Sequence, residues 1–277
     1  MASRRADGWR FDHGAIVLRP TSEAFAAFLK DTQAHGSAAH WQDGEGWSGL
    51  PGMSSIIKPL EVGFDIVTGQ RVTGLRKTPS GWILDGPDRA ANLTFDRVVL
   101  AIPQPQAFEM LAPWAALTEI IATAEMQPCW ALMAGFDTRL PTDLAYSNTC
   151  SSPIAVIARE TAKPGRTLPG DGWVIQADAD WTRAHLEREQ AEVTDLLLAA
   201  FFEAVGCRPL APAISMAHRW RYGLTSTPLG QSHMLDMSLG LGLCGDWCLG
   251  STAQAAFDSG RSLAAAILAK SPALLSK

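Results

Sequence analysis

Apolar positions recur with the period of an α-helix in three long stretches of the chain. Residues 21–35 carry an apolar stripe behind Ser22, a residue type that caps helix N-termini. A longer amphipathic pattern covers residues 180–205 and stops at Gly206, a residue type common just past a helix end. A third helix is expected over residues 251–269. Two short helices are also predicted, over residues 104–111 and 114–124.

Alternating or β-branched runs, separated by turn-forming residues, predict the strands. The first fifteen residues and the glycine-rich stretch Trp41–Met53 show no clear period and are predicted as loops. Strand clusters interleaved with helices predict an α/β or mixed α+β fold. The strands are expected over residues 61–67, 71–77, 82–84, 93–101, 129–136, 154–159, 173–179, 214–220 and 240–244.

Composition narrows the class of protein. The 277 residues are 47% hydrophobic with a formal net charge of −5, and the scattered basic residues argue against a nucleic-acid binder. No apolar run approaches the ~20 residues that span a bilayer, and the first residues lack the apolar core of a signal peptide. Five cysteines without framework spacing indicate free thiols. We expect a two-lobed cytoplasmic protein that binds no membrane and is a monomer or weak homodimer.

The sharpest chemical signal is the turn Leu241–Gly250, which leads directly into the last predicted helix. An apolar strand delivers Gly245 and Asp246 to this turn, and the helix N-terminus directs free N–H groups at the same place. Asp246 can accept a hydrogen bond from a hydroxyl, and a helix N-terminus favours negative charge, so the turn suits a polyol or a phosphate. The local pattern by itself favours a simpler interpretation, in which Asp246 only caps the helix.

Two short blocks place histidine, arginine and aromatic residues close together: Arg4–Gly14 and Ala217–Tyr222. The pair Asp12-His13 suits an acid/base dyad, although such a pair is more often structural. The arginines beside Trp220 suit an anionic or aromatic ligand, or else a solvated strand edge.

Other sites are not predicted. The sequence has no Gly-x-Ser-x-Gly elbow, and Cys244 and Cys248 lack two further zinc ligands, so we expect no metal. Glu187 and Glu189 are assigned to a solvated helix face.

Taken in order, several blocks resemble the renalase-like, flavin-containing amine-oxidase-related family over essentially the whole chain. The first block, Met1–Ala15, resembles the segment that follows the Gly-Gly-Arg turn of that family. The last is the turn Gly245–Gly250 with Phe257–Gly260. Between them stand Gly52–Ser54, Phe95–Pro103, Met126–Trp130, Ala158–Glu160, Lys163–Arg166, Trp181–Leu186 and Ala217–Tyr222.

The resemblance implies a flavoprotein that holds FAD non-covalently in an extended pose. It implies a discontinuous, incomplete Rossmann-like FAD lobe (residues 1–15, 51–111 and 236–277) and an inserted mixed-sheet substrate lobe (residues 16–50 and 112–235). The reaction implied is hydride transfer from a small reduced substrate, of dihydronicotinamide or amine type, to the flavin, with molecular oxygen as the final acceptor.

The family likeness also assigns residues to the site. Asp246 would bind the ribityl and pyrophosphate region, Val72 would approach the adenine through its backbone, and Arg4 would line the flavin pocket. Candidate catalytic residues are His13, Trp220 and Arg221. Candidate cofactor-binding residues are Arg4, Asp12, Gly14, Val72, Gly245, Asp246, Trp247 and Gly250.

The sequence departs from the family at the N-terminal side. Family members begin with a βαβ unit carrying Gly-x-Gly-x-x-Gly, and the glycine-rich stretch found here is in the wrong context for it. The departure favours a true start upstream of Met1. The alternatives, in order, are a flavin-free relative that acts as a binding or partner protein, and a separate chain that supplies the unit.

Overall fold

The structure is a computed structural model that describes residues 1–86 and 93–270. The chain divides into two compact units. The first comprises Met1–Val62 and Gln127–Gly223, and the second comprises Gly63–Met126 and Leu224–Lys277. Each unit contains both helices and strands, which confirms the predicted mixed α/β class. The assignment of residues to a flavin lobe and a substrate lobe stays a prediction.

A five-stranded sheet forms the centre of the first unit, with the strand order β12-β8-β11-β10-β9. The pairs β8–β11, β11–β10 and β10–β9 are antiparallel. Its strands are β8 (Glu125–Phe136), β9 (Tyr146–Ser147), β10 (Ile154–Arg159), β11 (Asp171–Ala177) and β12 (Ile214–Thr227). Around it lie two hairpins and three helices: β1 (Arg4–Ala6), β2 (Trp9–Phe11), α1 (Glu23–Ala34), β3 (Ala38–Trp41), β4 (Gly46–Gly49), α4 (Ala179–Ala184) and α5 (Gln190–Val205).

The alternation of side chains along the central strands buries both faces of this sheet. On one face, Trp130 of β8 and Trp173 of β11 pack in a cluster with Phe201 of α5. On the other face, Met133 of β8 packs in a second cluster with Trp9 of the β1–β2 hairpin. Near-continuous apolar runs in β8 and β11 follow from this, because neither face meets water.

The second unit is built on a three-stranded sheet. Its order is β13-β14-β7, with β13–β14 antiparallel and β14–β7 parallel, so that Leu243 lies opposite Leu100. Its strands and helices are β5 (Gly74–Thr78), β6 (Gly81–Asp85), β7 (Val98–Leu100), α2 (Gln104–Met110), α3 (Ala115–Ile121), β13 (Met234–Asp236), β14 (Leu241–Leu243) and α6 (Ala253–Ala269). A separate core holds this unit together, with Trp82 and Trp247 fully buried in it.

The predicted N-terminal loop is wrong, because residues 4–11 form the β1–β2 hairpin. Its turn, Asp7-Gly8, has positive φ at both residues (49° and 82°), as a two-residue hairpin turn requires. Asp-Gly was the local signal for this hairpin. Likewise, Trp41–Met53 is not a loop throughout, since Gly46–Gly49 pairs with Ala38–Trp41.

The predicted continuous helix over residues 180–205 is broken between α4 and α5. Side chains from elsewhere bind the carbonyls at the break: Trp130 Nε1 donates to His185 O over 3.0 Å, and Arg219 donates to Leu186 O over 2.6 Å. These partners are distant in sequence, so no helical period could reveal them. The strand predicted over residues 61–67 is also wrong, because this segment pairs with no strand within the described ranges, and Phe64 is exposed.

Two glycines at helix positions should respond oppositely to alanine. Gly206 caps α5 in the left-handed region (φ 66°), so Gly206→Ala should lower the free energy of unfolding by about 1 kcal/mol. Gly260 lies inside α6, and an added Cβ there would meet nothing within 4 Å. Gly260→Ala should therefore raise the free energy of unfolding by about 0.5–1 kcal/mol. Denaturant titration measures both, and equal signs would contradict the assigned backbone conformations.

Candidate functional site

An aromatic and imidazole cluster forms in the first unit where β12 passes the segment after β2. The His13 ring stacks on Trp220 with 5.3 Å between centroids and meets the edge of His218 at 4.9 Å. Trp220 Nε1 donates to His13 O over 2.9 Å. Arg4 Nη2 lies 3.4 Å from His218 Nδ1. The two sequence blocks singled out for chemistry thus come together here.

His13 is 5% exposed, and its Nδ1 has no hydrogen-bond partner in the part of the chain that the structure describes. Burial, together with the nearby His218 and Arg4, lowers the pKa of His13 to about 4. The pKa of His218 is lowered too, by burial and by Arg4. Both imidazoles are therefore neutral at pH 7. A neutral, buried imidazole packed against Trp220 suits positioning of that ring more than proton abstraction.

Asp12 belongs to a different environment, a fully buried charge cluster of Asp12, Glu160, Lys163 and Arg166. Lys163 Nζ lies 3.2 Å from Asp12 and 2.6 Å from Glu160, and Arg166 also pairs with Asp12. Ser3 Oγ donates to Asp12 over 2.5 Å, and the Met53 N–H donates over 2.9 Å. Both oxygens of Asp12 are thus engaged within the protein.

The pKa values in this cluster reflect opposing effects. Burial by itself raises the pKa of Asp12, but the charges of Lys163 and Arg166 and the two hydrogen bonds outweigh it, so the pKa is lowered. For Glu160 burial prevails, and its pKa is raised. Sequence reasoning missed Glu160, Lys163 and Arg166 as partners of Asp12, since a separation of some 150 residues leaves no local pattern.

Arg221 lies on the opposite face of β12 from Trp220, as alternation along a strand requires. Its guanidinium holds the Glu187 carboxylate through two hydrogen bonds of 2.6 and 2.9 Å, and Arg219 binds the same carboxylate at 3.0 Å. Glu187 is therefore more than part of a solvated helix face. It lies in the break between α4 and α5 and ties that break to β12.

Gly14 connects the cluster to the sheet, because its carbonyl accepts from Gln176 Nε2 over 2.7 Å. In the second unit, Val72 is partly buried against the core. Its neighbour Thr73 donates a backbone hydrogen bond to Asp85 O over 2.8 Å.

The turn after β14 forms as the sequence predicts, a strand followed by a short turn and by helix α6. Trp247 is fully buried and donates to Ile102 O over 3.0 Å, which fixes the turn to β7. Gly245 has no room for a side chain, since a Cβ there would lie 2.6 Å from Trp247 Nε1. Gly250 has φ 150°, and an added Cβ there would meet nothing within 4 Å.

Asp246 is half-buried in this turn, and burial raises the pKa of its carboxyl group. Its carboxylate accepts from Thr225 Oγ1 over a long 3.4 Å and from the backbone N–H groups of Asp246 and Trp247, whereas a carboxylate can accept about four hydrogen bonds. The helix N-cap is provided by Thr252, not by Asp246. Capacity to accept from hydroxyl groups therefore remains beside a helix N-terminus, and these residues fit the polyol and phosphate parts of a dinucleotide such as FAD.

One segment has the spacing Gly-x-Gly-x-x-Gly: Gly44, Gly46 and Gly49. It belongs to the β3–β4 hairpin and opens no α-helix, because the next element is the 3₁₀ helix Met53–Glu61. Its glycines allow close packing, since a Cβ at Gly46 would lie 2.5 Å from Leu18 O and one at Gly49 would lie 2.3 Å from Gly52 O. The spacing is thus structural here, as its context predicts.

The model of the flavin containing amine oxidoreductase family matches residues 11–268, so the chain belongs to this family. The family indicates FAD as the cofactor. No helix among the described residues has the length and apolar character needed to cross a bilayer.

Solved structures agree on the fold. A redesigned triple mutant of putrescine oxidase is 16% identical with a TM-score of 0.62, covering 82% of this chain and 54% of that one. Cyclohexylamine oxidase from Brevibacterium oxydans IH-35A is 14% identical with a TM-score of 0.59 and the same coverage. An oxidoreductase from Methanosarcina mazei is 16% identical with a TM-score of 0.59, covering 79% and 55%. The chain thus spans about half the length of these proteins.

The position of Asp12 predicts a role in stability that needs no ligand. Asp12→Ala leaves Lys163 and Arg166 buried with one carboxylate between them, and removal of one partner from a buried ion pair costs about 3–5 kcal/mol. Asp180→Ala, which removes an exposed partner of Arg183, should cost under about 1 kcal/mol. Denaturant unfolding without FAD measures both. An Asp12→Ala variant of unchanged stability would show that the cluster contributes little.

The low pKa of His13 predicts acid sensitivity. An unfolded histidine binds a proton near pH 6.5 and the folded His13 only near pH 4, so falling pH favours the unfolded state across this window. The loss is roughly 3 kcal/mol from His13, and His218 adds to it in the same direction. In thermal unfolding at pH 7, 6, 5 and 4, His13→Gln should flatten the decline. His35→Gln, at an exposed histidine, should not.

Proposed function

We propose that this chain carries flavin-facing and substrate-facing parts of an FAD-dependent oxidoreductase of the renalase-like subtype. The observation that carries the proposal is the turn Gly245–Gly250, where the half-buried Asp246 keeps acceptor capacity beside the N-terminus of α6. Membership of the flavin containing amine oxidoreductase family supports it independently.

In this proposal, Asp246 would accept hydrogen bonds from the ribityl hydroxyls, with Gly245, Trp247 and Gly250 shaping the backbone around them. Val72 would contact the adenine through its backbone. Arg4 and the segment Asp12–Gly14 would line the flavin pocket, with Asp12 acting by fixing that segment and not through a free carboxylate.

FAD, when bound, supplies two-electron chemistry, taking a hydride from a small reduced substrate of dihydronicotinamide or amine type and passing the electrons to molecular oxygen. The protein contributes orientation. The half-buried Trp220 would contact a flat substrate, with the buried His13 stacked behind it and kept neutral by its low pKa. Arg221 would act indirectly, since its pairing with Glu187 fixes the strand that carries Trp220.

The assigned role of Asp246 predicts that Asp246→Ala will weaken FAD binding at least tenfold, because each hydrogen bond to a charged group contributes about 1.5–3 kcal/mol. The measurements are the flavin absorbance that survives purification and the rise in melting temperature on adding FAD, which a ligand of the native state must cause. The matched control is Asp195→Ala, at an exposed carboxylate of α5.

The same preparation tests the reaction. Anaerobic mixing of the FAD-loaded protein with a dihydronicotinamide should bleach the flavin, and admission of air should restore its colour. Bound flavin that no reduced substrate bleaches would contradict the proposed chemistry. A chain that binds no FAD at all would instead support a flavin-free binding protein.

A further inference from the structure

A cavity of about 510 Å³ opens in the first unit beside the β1–β2 hairpin. Its wall includes Arg5 and Arg10 of the hairpin and Arg166 of the segment before β11. None of its lining residues belongs to the His13 cluster or to the turn Gly245–Gly250. The volume lies within the range of small-molecule sites, roughly 300–1,000 Å³.

The hairpin places two cations directly across from each other. Arg5 and Arg10 are register partners, and like charges at such positions destabilise a strand pair. Burial, with the charges of Arg5 and Arg166, lowers the pKa of Arg10, although Asp12 opposes this shift. Asp7, at the turn, is the acidic residue of the cavity wall. The two like charges destabilise the hairpin, and a bound anion would offset their repulsion.

Arg166 also lines the cavity, but its guanidinium belongs to the buried charge cluster. Its side chain is 1% exposed, and Nη2 pairs with Asp12. Because the guanidinium does not reach the cavity surface, Arg166 contributes positive charge behind the wall and no direct contact.

The rest of the cavity wall includes apolar side chains, which would contact an organic group attached to the anion. Trp9, Pro51 and Leu168 contribute it, and Trp9 is held rigidly in the core below. The cavity is too large for an inorganic anion alone. An anion joined to a small organic group would use both parts of the wall.

We propose that this cavity is a binding site for a small phosphate monoester, separate from the flavin site. Arg5 and Arg10 would bind the phosphate, with the charge of Arg166 behind them, and the apolar wall would contact the organic group. Two guanidinium groups match the charge and the fork geometry of a phosphate dianion better than those of a single carboxylate.

Calorimetric titration with phenyl phosphate tests the site, alongside inorganic phosphate, benzoate and benzyl alcohol. Phenyl phosphate should bind most tightly and benzyl alcohol not at all, and added salt should weaken binding. The double substitution Arg5→Gln with Arg10→Gln should weaken the binding of phenyl phosphate at least tenfold. Arg208→Gln, at an exposed arginine outside the cavity, should leave it unchanged.

If the double variant does not fold, Arg5→Glu serves in its place, because Arg5 is exposed and charge reversal there leaves the core intact. Unchanged affinity in the variant that folds would overturn the proposal. Benzoate binding as tightly as phenyl phosphate would overturn the phosphate class. Competition by FAD would assign the anion to the flavin site, which also overturns a separate site and leaves the proposed function intact.

Discussion

The buried charge cluster of Asp12, Glu160, Lys163 and Arg166 is the constraint on which the first unit depends. Burying four ionised or ionisable groups away from water costs free energy unless each is paired. The segments that carry them must therefore adopt the arrangement that pairs these groups. Those segments are the stretch after β2 and the connection from β10 to β11. Their mutual position determines where His13, the residue after Asp12, is placed.

Everything proposed for the first unit follows from that placement. His13 lies against Trp220 because Asp12 is held, and the imidazole stays neutral because the same packing excludes water from it. Arg166 belongs to the cluster and also lines the cavity beside the β1–β2 hairpin. A single cluster thus stabilises the fold, positions the stacked rings and places a positive charge behind the cavity wall.

In the second unit, the candidate site depends mainly on residues that are close together in sequence. The turn after β14 is formed by residues adjacent in sequence, and the burial of Trp247 against Ile102 fixes it. Its chemistry was readable for this reason: strand, glycine, carboxylate and helix are consecutive. What the sequence left open was whether Asp246 merely caps the helix, and Thr252 occupies that position instead.

Features that depend on residues adjacent in sequence could be predicted without the structure. Ser22 and Gly206 marked helix ends, apolar runs marked the central strands, and the ordered blocks indicated the family. The dipeptide Asp7-Gly8 also indicates a hairpin locally, but the lack of a clear period around it led to the prediction of a loop.

The helix break, the environment of Asp12 and the conformation of residues 61–67 became visible only in the tertiary structure. They depend on interactions, or on the lack of a neighbouring strand, between residues far apart in the chain. Hydrogen bonds from Trp130 and Arg219 hold the carbonyls at a break in a helix that periodicity predicted as continuous. The pairing of Asp12 with Lys163 gave a predicted acid/base residue a structural environment. Residues 61–67 show the converse: they join no sheet within the described part of the chain, since alternation alone forms no strand without a second strand beside it.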